Sequence, residues 1–304
     1  MPSATDPVVW EFEAIGAPWR LDVHPGHEGA GGTHADRVAV DDRIAQFDRD
    51  WSRFRDDSRI AAIARTPGHH ALAADARPLM RHLRELYEVT NGRVSPLVGR
   101  SLEQLGYDAA YRLTPAGDPI AAPAWDDAIA LTEDSGDGAL ALHTATPVVL
   151  DVGAAGKGYL VDLVAELLLE RGAAGAVVDG SGDLRVVGEA SIRVGLENPA
   201  NPELVVGVVE LADGRALAAS APNRRAWGPG LHHLVDAMTG RPLALDVIAT
   251  WAVADSALVA DGAATALFLG EPTAIAERLG VEYVRMHADG RLEASPGWEG
   301  ELFR

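Results

Sequence analysis

Asp151-Val152-Gly153-Ala154-Ala155-Gly156-Lys157-Gly158-Tyr159-Leu160-Val161-Asp162 decides how the rest of this chain is read. Before it, Val148, Val149 and Leu150 form an apolar triplet that reads as a buried strand. After it, Leu160, Leu163, Val164, Leu167 and Leu168 recur at helical spacing, with Gly172 as the stop. Small residues between strand and helix let a ligand approach the backbone closely. The start of a helix favours anions, and Lys157 adds a point charge. The glycines do not follow the dinucleotide order Gly-x-Gly-x-x-Gly. Nor is this a P-loop, because Asp151 stands where the first Gly is required and Gly158 where Ser or Thr is required. Glycine spacing alone favours a tight strand-to-helix turn with a solvated lysine.

Toward the C-terminus, strands are expected at 176–178 and 184–187, joined by the loop Asp179-Gly180-Ser181-Gly182-Asp183. Further strands at 204–211 and 216–220 flank Asp213-Gly214 as a hairpin. A strand at 247–254 leads into a helix that begins near Asp255-Ser256, a good N-cap pair, and runs to Leu269. A last helix and a short hairpin close the chain. Toward the N-terminus, residues 10–23 read as a strand. A helix follows with Ile44, Phe47, Trp51 and Phe54 on its apolar side and Asp41 and Asp42 near its start. A second helix spans about 78–90 and is stopped by Asn91-Gly92. Residues 94–107 read as a loop into a small helix, 113–123 as a surface loop, and Asp137-Gly138 as a hairpin turn. Strands and helices mix without strict alternation, and there is no repeat or linker. The expectation is one α+β domain over 1–304, with mixed or antiparallel sheets packed against helices.

Composition sets limits on partners. Of 304 residues, 47% are hydrophobic and 23% charged, as in an ordinary globular protein. The net charge of −19 argues against nucleic acid and anionic lipid as partners. A phosphorylated ligand would need a cation, or a local cluster of donors, to approach so acidic a protein. The chain has no cysteine, hence no disulfide, thiolate metal site or lipidated N-terminal Cys. Residues 1–10 have no basic and apolar leader pattern, and no run of about eighteen apolar residues occurs. A cytoplasmic protein without membrane insertion is expected.

Two further clusters carry chemistry. Asp261 and Thr265 lie four apart on a helix and face the same way, with only Gly262, Ala263 and Ala264 between them. A carboxylate and a hydroxyl, completed by phosphate and carbonyl oxygens, suit Mg²⁺. Taken alone, the pair reads more readily as a solvated Asp and a back-bonding Thr. In Leu231-His232-His233-Leu234-Val235-Asp236, a histidine beside a carboxylate could serve as a general base. Adjacent histidines on a strand point to opposite faces, so at most one enters a site.

The order of these elements resembles the ApbE family of FAD:protein FMN transferases. The matching segments are 151–162, Ser220 before Arg224-Arg225-Ala226-Trp227, 233–240, and Asp261 to Thr265. Ile15-Gly16-Ala17-Pro18-Trp19, Ser52-Arg53-Phe54-Arg55-Asp56-Asp57-Ser58 and Val94-Ser95-Pro96-Leu97-Val98-Gly99 agree with earlier family motifs. The resemblance implies an ApbE-like, T-fold-like architecture and FAD as substrate. It implies Mg²⁺ held by Asp261, Thr265 and the carbonyl of Gly156. Gly153, Lys157 and Asp162 would lie against FAD, and Ile15, Phe54, Val94, Ser95, Pro96 and Leu234 would line its pocket. His233 would be the base at the pyrophosphate, and Ser220 and Arg225 would bind flavin or acceptor. The acceptor implied by the resemblance would be a Thr or Ser of a flavoprotein. Several positions depart from the family pattern: Ser95 for Asp, Ala237 for Pro, Ala17 for Thr, Ala221 for Gly and Gly156 for Ala. Two other outcomes stay open: Mg²⁺-dependent hydrolysis of FAD to FMN and AMP, and FAD binding without turnover.

Overall fold

The computed structural model describes residues 6–133 and 139–303, so the Asp137-Gly138 turn lies outside the described residues. Eight strands build the central sheet. They are β1 (Val8–Ala14), β2 (Ala17–His24), β3 (Gly175–Asp179), β4 (Asp183–Gly188), β5 (Ala216–Ser220), β6 (Val247–Ala254), β7 (Glu282–His287) and β8 (Leu292–Ala294). They lie side by side in chain order, and every neighbouring pair is antiparallel. The sheet is therefore a meander into which helices are inserted. Helices α1 (His34–Trp51), α2 (Ala76–Val89) and α3 (Gly156–Glu170) fall between β2 and β3. Helices α4 (Ala257–Ala266) and α5 (Pro272–Leu279) fall between β6 and β7.

Period-two alternation divides the core in two. Leu21, Val23, Ala176, Val178, Ala252 and Ala254 face the helices, where they meet Leu160, Val164, Leu168 and Ala260. The intervening residues Val177, Val186, Leu217, Trp251 and Val253 face the other way. A small sheet of Ile192–Asn198, Asn201–Leu211 and Glu301–Leu302 covers that face through Leu196, Val209 and Leu211. Each large apolar side chain so buried contributes about 1.5–3 kcal/mol. Among the described residues, no helix is long and apolar enough to cross a membrane.

Most expected elements appear within a residue or two, and the exceptions have physical causes. Residues 10–23 form a hairpin, not one strand, because Ile15 (φ 46°) and Gly16 (φ 74°) turn the chain between β1 and β2. A β-branched residue rarely adopts that conformation, so the sequence hides the turn. Residues 201–211 and 216–220 are not a hairpin either: the first lies in the small sheet and the second in the central one. Val148–Leu150 is buried but unpaired as a strand. Helix α1 starts well before Asp41, at a capping box of Thr33 and Asp36, and it ends before Phe54.

Candidate functional site

Helices α3 and α4 cross at Gly158, where a Cβ would come within 2.1 Å of the Ala257 carbonyl oxygen and 2.6 Å of the Asp261 Cβ. Only glycine permits this approach. Across the contact, each helix caps the other. The Gly158 N–H donates to Asp261 Oδ2 at 2.9 Å. The N–H groups of Ala257 and Leu258 donate to the two oxygens of Asp162, both at 2.8 Å. The Ser256 hydroxyl accepts from the Val259 N–H at 3.2 Å, confirming its role as N-cap. Both oxygens of Asp162 are thus engaged at the start of α4. Burial pushes its carboxyl up to about 6 despite the two donors.

Asp261 is 8% exposed, and burial together with the nearby Asp183 raises its carboxyl well above the usual range. Thr265 follows one turn later on α4 and is half-buried. Gly156 opens α3 and is buried. Lys157 spends its three donors inside the protein. Its Nζ lies 2.6 Å from Gly180 O, 3.1 Å from Ser181 O and 2.8 Å from Asp183 Oδ2. It therefore braces the 179–183 loop rather than projecting as a free cation. That loop is held by Gly182 N–H on Asp179 Oδ1 (2.9 Å) and Gly180 N–H on Asp183 O (2.9 Å), with Ser181 at φ 65°.

A second ion pair stands beside the first. Arg53, its side chain 3% exposed, donates from Nε to Asp151 and from Nη1 to Tyr107 O at 2.8 Å. The Gly153 N–H donates to Asp151 Oδ1 at 2.7 Å. Burial would raise the Asp151 carboxyl, but Arg53 and this N–H outweigh it and hold the group below its ordinary value. The Arg53 guanidinium lies 4.2 Å over the Phe54 ring. Phe54 in turn stacks on Tyr111 at 5.2 Å, and Tyr107 stacks on Trp227 at 5.1 Å. The side chains of Val94, Ser95, Pro96 and Leu234 are buried, and Ser95 Oγ accepts from the Leu97 N–H. Pro96 O accepts from the Asp151 N–H at 2.7 Å, so this segment meets the site through its backbone.

The two histidines part as expected. His232 is 3% exposed and bonds Leu243 O at 3.2 Å through Nε2. His233 places Nδ1 3.4 Å from Arg225 O, and its own N–H donates to the same carbonyl at 3.1 Å. A carbonyl can only accept, so Nδ1 carries the proton and Nε2 is left as an acceptor. Burial, then the charge of Arg225, pushes the His233 imidazole down to about 4. Arg225 is exposed at the end of the short turn Pro222–Arg225. Its positive charge acts to lower the pKa of His233, Asp151, Asp183, Asp261 and Tyr107 alike. Ser220 ends β5, half-buried and in register with Thr250, and Ile15 is at the tip of the β1–β2 turn.

Sequence reasoning missed Asp183, Asp151 as an ion-pair partner, and the rings of Tyr107, Tyr111 and Trp227. Asp183 had a signal: an acid closing a Gly-Ser-Gly loop and opening an apolar strand. The Arg53–Asp151 pair joins positions too far apart in the chain to be read as neighbours.

The ApbE family model matches residues 15–285. A protein of Rhodobacter capsulatus named FAD:protein FMN transferase is 30% identical over 274 residues, 84% of this chain and 51% of that protein. The chain thus spans about half the length of that relative. One from Haemophilus influenzae with the same name is 27% identical over 241 residues, covering 75% and 68%. The solved apbe protein of Thermotoga maritima superposes with a TM-score of 0.79 at 20% identity, covering 95% of this chain and 96% of that one. The apo flavinyl transferase ApbE of Pseudomonas stutzeri gives 0.76 at 22% identity, covering 96% of each. Both share the antiparallel-sheet-and-helix fold. The chain belongs to the ApbE family.

Proposed function

We propose that this chain transfers FMN from FAD to a Thr or Ser hydroxyl of an acceptor flavoprotein, with Mg²⁺ as cofactor and AMP as leaving product. The names of its relatives supply the reaction, and the observation that carries the reading is Asp261. It is a buried carboxyl at the first turn of α3, beside a second buried carboxyl, with a threonine one turn along. Two acids crowded in this way fit a hard cation, which lowers the cost of their ionised forms. Among the described residues, no three of His, Asp and Glu gather as a metal cage. Asp261, Thr265 and the Gly156 carbonyl would therefore hold the ion together with substrate phosphate oxygens. When bound, it would offset pyrophosphate charge and polarise a phosphoryl oxygen.

The chain's own residues do the rest. Neutral His233 has Nε2 available to take the proton of the incoming hydroxyl at neutral pH. The hydroxyl oxygen bonds to the FMN phosphorus, the pyrophosphate P–O bond breaks, and AMP leaves with the electron pair. Arg225, whose positive charge acts on both Asp261 and His233, would counter the charge of the phosphates. Lys157 and Asp183 hold the 179–183 loop as a wall of the site.

The test is incubation with FAD and a flavin-acceptor domain, with and without Mg²⁺, followed by intact mass spectrometry and AMP chromatography. The expected result is an acceptor heavier by one FMN, with stoichiometric AMP, only when Mg²⁺ is present. Free FMN with an unmodified acceptor would make the protein a hydrolase. FAD left intact throughout would make it a binding protein.

A further inference from the structure

On the sheet face away from the helices, the small sheet's core contacts run from β3 to β8 and include no residue of β1 or β2. The step leaves a groove of about 640 Å³. Leu217 and Trp251 lie on its floor. Glu11 and Glu13 of β1 stand on one side, with Val194 and Glu197 of the Ile192–Asn198 strand on the other. Both of these are edge strands, each ending its sheet. An edge strand presents backbone N–H and C=O groups that an added extended segment can pair.

The groove and the site share a wall. Ser181 and Gly182 line the groove, while Ser181 O also holds Lys157 Nζ at 3.1 Å. Ala219 and Arg224 line it too, and each immediately precedes a site residue, Ser220 and Arg225. In β5, successive side chains point to opposite faces, so a segment in the groove needs only to round the end of the sheet to reach the site. Charge gives the occupant its character. Glu11 and Glu197 are matched by Arg20 at 2.7 Å and Arg224 at 2.8 Å. Glu13 and Asp179 have no ion pair among the described residues.

We infer that this groove docks the acceptor protein. The docked element is an extended segment, basic beside its reactive Thr or Ser, that adds as a strand to an exposed edge and carries its hydroxyl to His233. The inference rests on the transfer reaction proposed above. It predicts that the flavin is moved onto a segment which is unpaired in the free acceptor, not onto a residue inside a rigid element.

The chain has no cysteine, so Glu13→Cys supplies a unique thiol in the groove and Glu277→Cys one on the exposed side of α5. Each variant is alkylated with a bulky maleimide. The probe is a flavin-acceptor domain whose reactive Thr is flanked by lysines, together with the same domain carrying glutamates there. Blocking position 13 is expected to slow FMN transfer at least about tenfold with FAD affinity retained, while the block at 277 changes neither. The glutamate acceptor is expected to be the poorer substrate. Hydrogen exchange in residues 8–14 or 192–198 is expected to slow when acceptor is added and not with FAD alone. Full-rate transfer with position 13 blocked overturns the docking. Loss of FAD affinity on blocking also overturns it, because the flavin would then occupy the groove. An unlabelled protein that binds FAD but never modifies the acceptor overturns the transfer reaction itself.

Discussion

Asp162 on α3 and Asp261 on α4 are mirror images in position: each is a buried carboxylate that accepts from the first turn of the helix it crosses. They differ in what remains. Asp162 gives one oxygen to Ala257 and the other to Leu258, with Arg185 Nε 3.7 Å from the first, so both of its oxygens face partners that hold the fold. Asp261 gives one oxygen to Gly158 and faces a second acid, Asp183, with Thr265 one turn further on. The same residue type at the same kind of helix end braces the fold in one case and, on the function proposed above, would hold a cation in the other. The partners around each carboxylate, more than residue identity, tell them apart.

The contrast is tested most sharply at Asp261. Asp261→Ala should lower Mg²⁺-dependent FAD turnover on the order of a thousandfold, about 4 kcal/mol in the transition state, while the stripped Gly158 N–H costs only about 1 kcal/mol of stability. Kinetics with Mg²⁺ titration and calorimetry on the same sample would check both halves, and a large fall in Tm would make Asp261 structural after all. Gly158→Ala attacks the crossing itself. Its Cβ meets Ala257 O and the Asp261 Cβ, so it should cost about 1–3 kcal/mol of stability and weaken Mg²⁺ affinity together. Asp162→Ala should do the reverse of Asp261→Ala. It strips two buried N–H groups of their acceptor, costs about 2 kcal/mol in denaturant unfolding, and leaves turnover per folded molecule nearly intact.

Smallest are the effects of pH. The folded-state value of Asp162 is raised to about 6, so the stability associated with it is present below its ordinary value near 3.8 and lost as pH rises through 6. Asp162→Asn should flatten that part of a stability–pH curve. His233 is shifted the other way: its folded value is about 4, so the free base persists down to that pH. The acid limb of kcat/KM should fall near pH 4, and a limb near 6.5 would show that another group accepts the proton.

Much of the fold was legible because it follows local periodicity. The run from Leu160 to Leu168 and the strand Val247–Ala254 advertise their own structure, and Ser256 announces the helix after it. Of the proposed site, the sequence could show only what helical spacing places together, such as Thr265 one turn beyond Asp261. The two roles of Asp162 and Lys157 were not legible, because each is fixed by partners from another element: Ala257 and Leu258 for the first, the 179–183 loop for the second. The turn at Ile15 was hidden for a different reason, since its side chain speaks for a strand while its backbone adopts the left-handed region.

The order of the central sheet also bears on how the chain folds. From β3 onward, neighbouring strands are brought together over modest stretches of chain, but β2 must find β3 across the whole span from His24 to Gly175. Loop-closure entropy grows only slowly with length, by about 0.6 kcal/mol per doubling, yet such distant pairing slows folding. The β1–β2 hairpin is therefore the natural last piece to dock. Its arrival seats Ile15 and raises the Glu13 wall, so a chain caught during folding would have its helix crossing in place before the groove beside β1 existed.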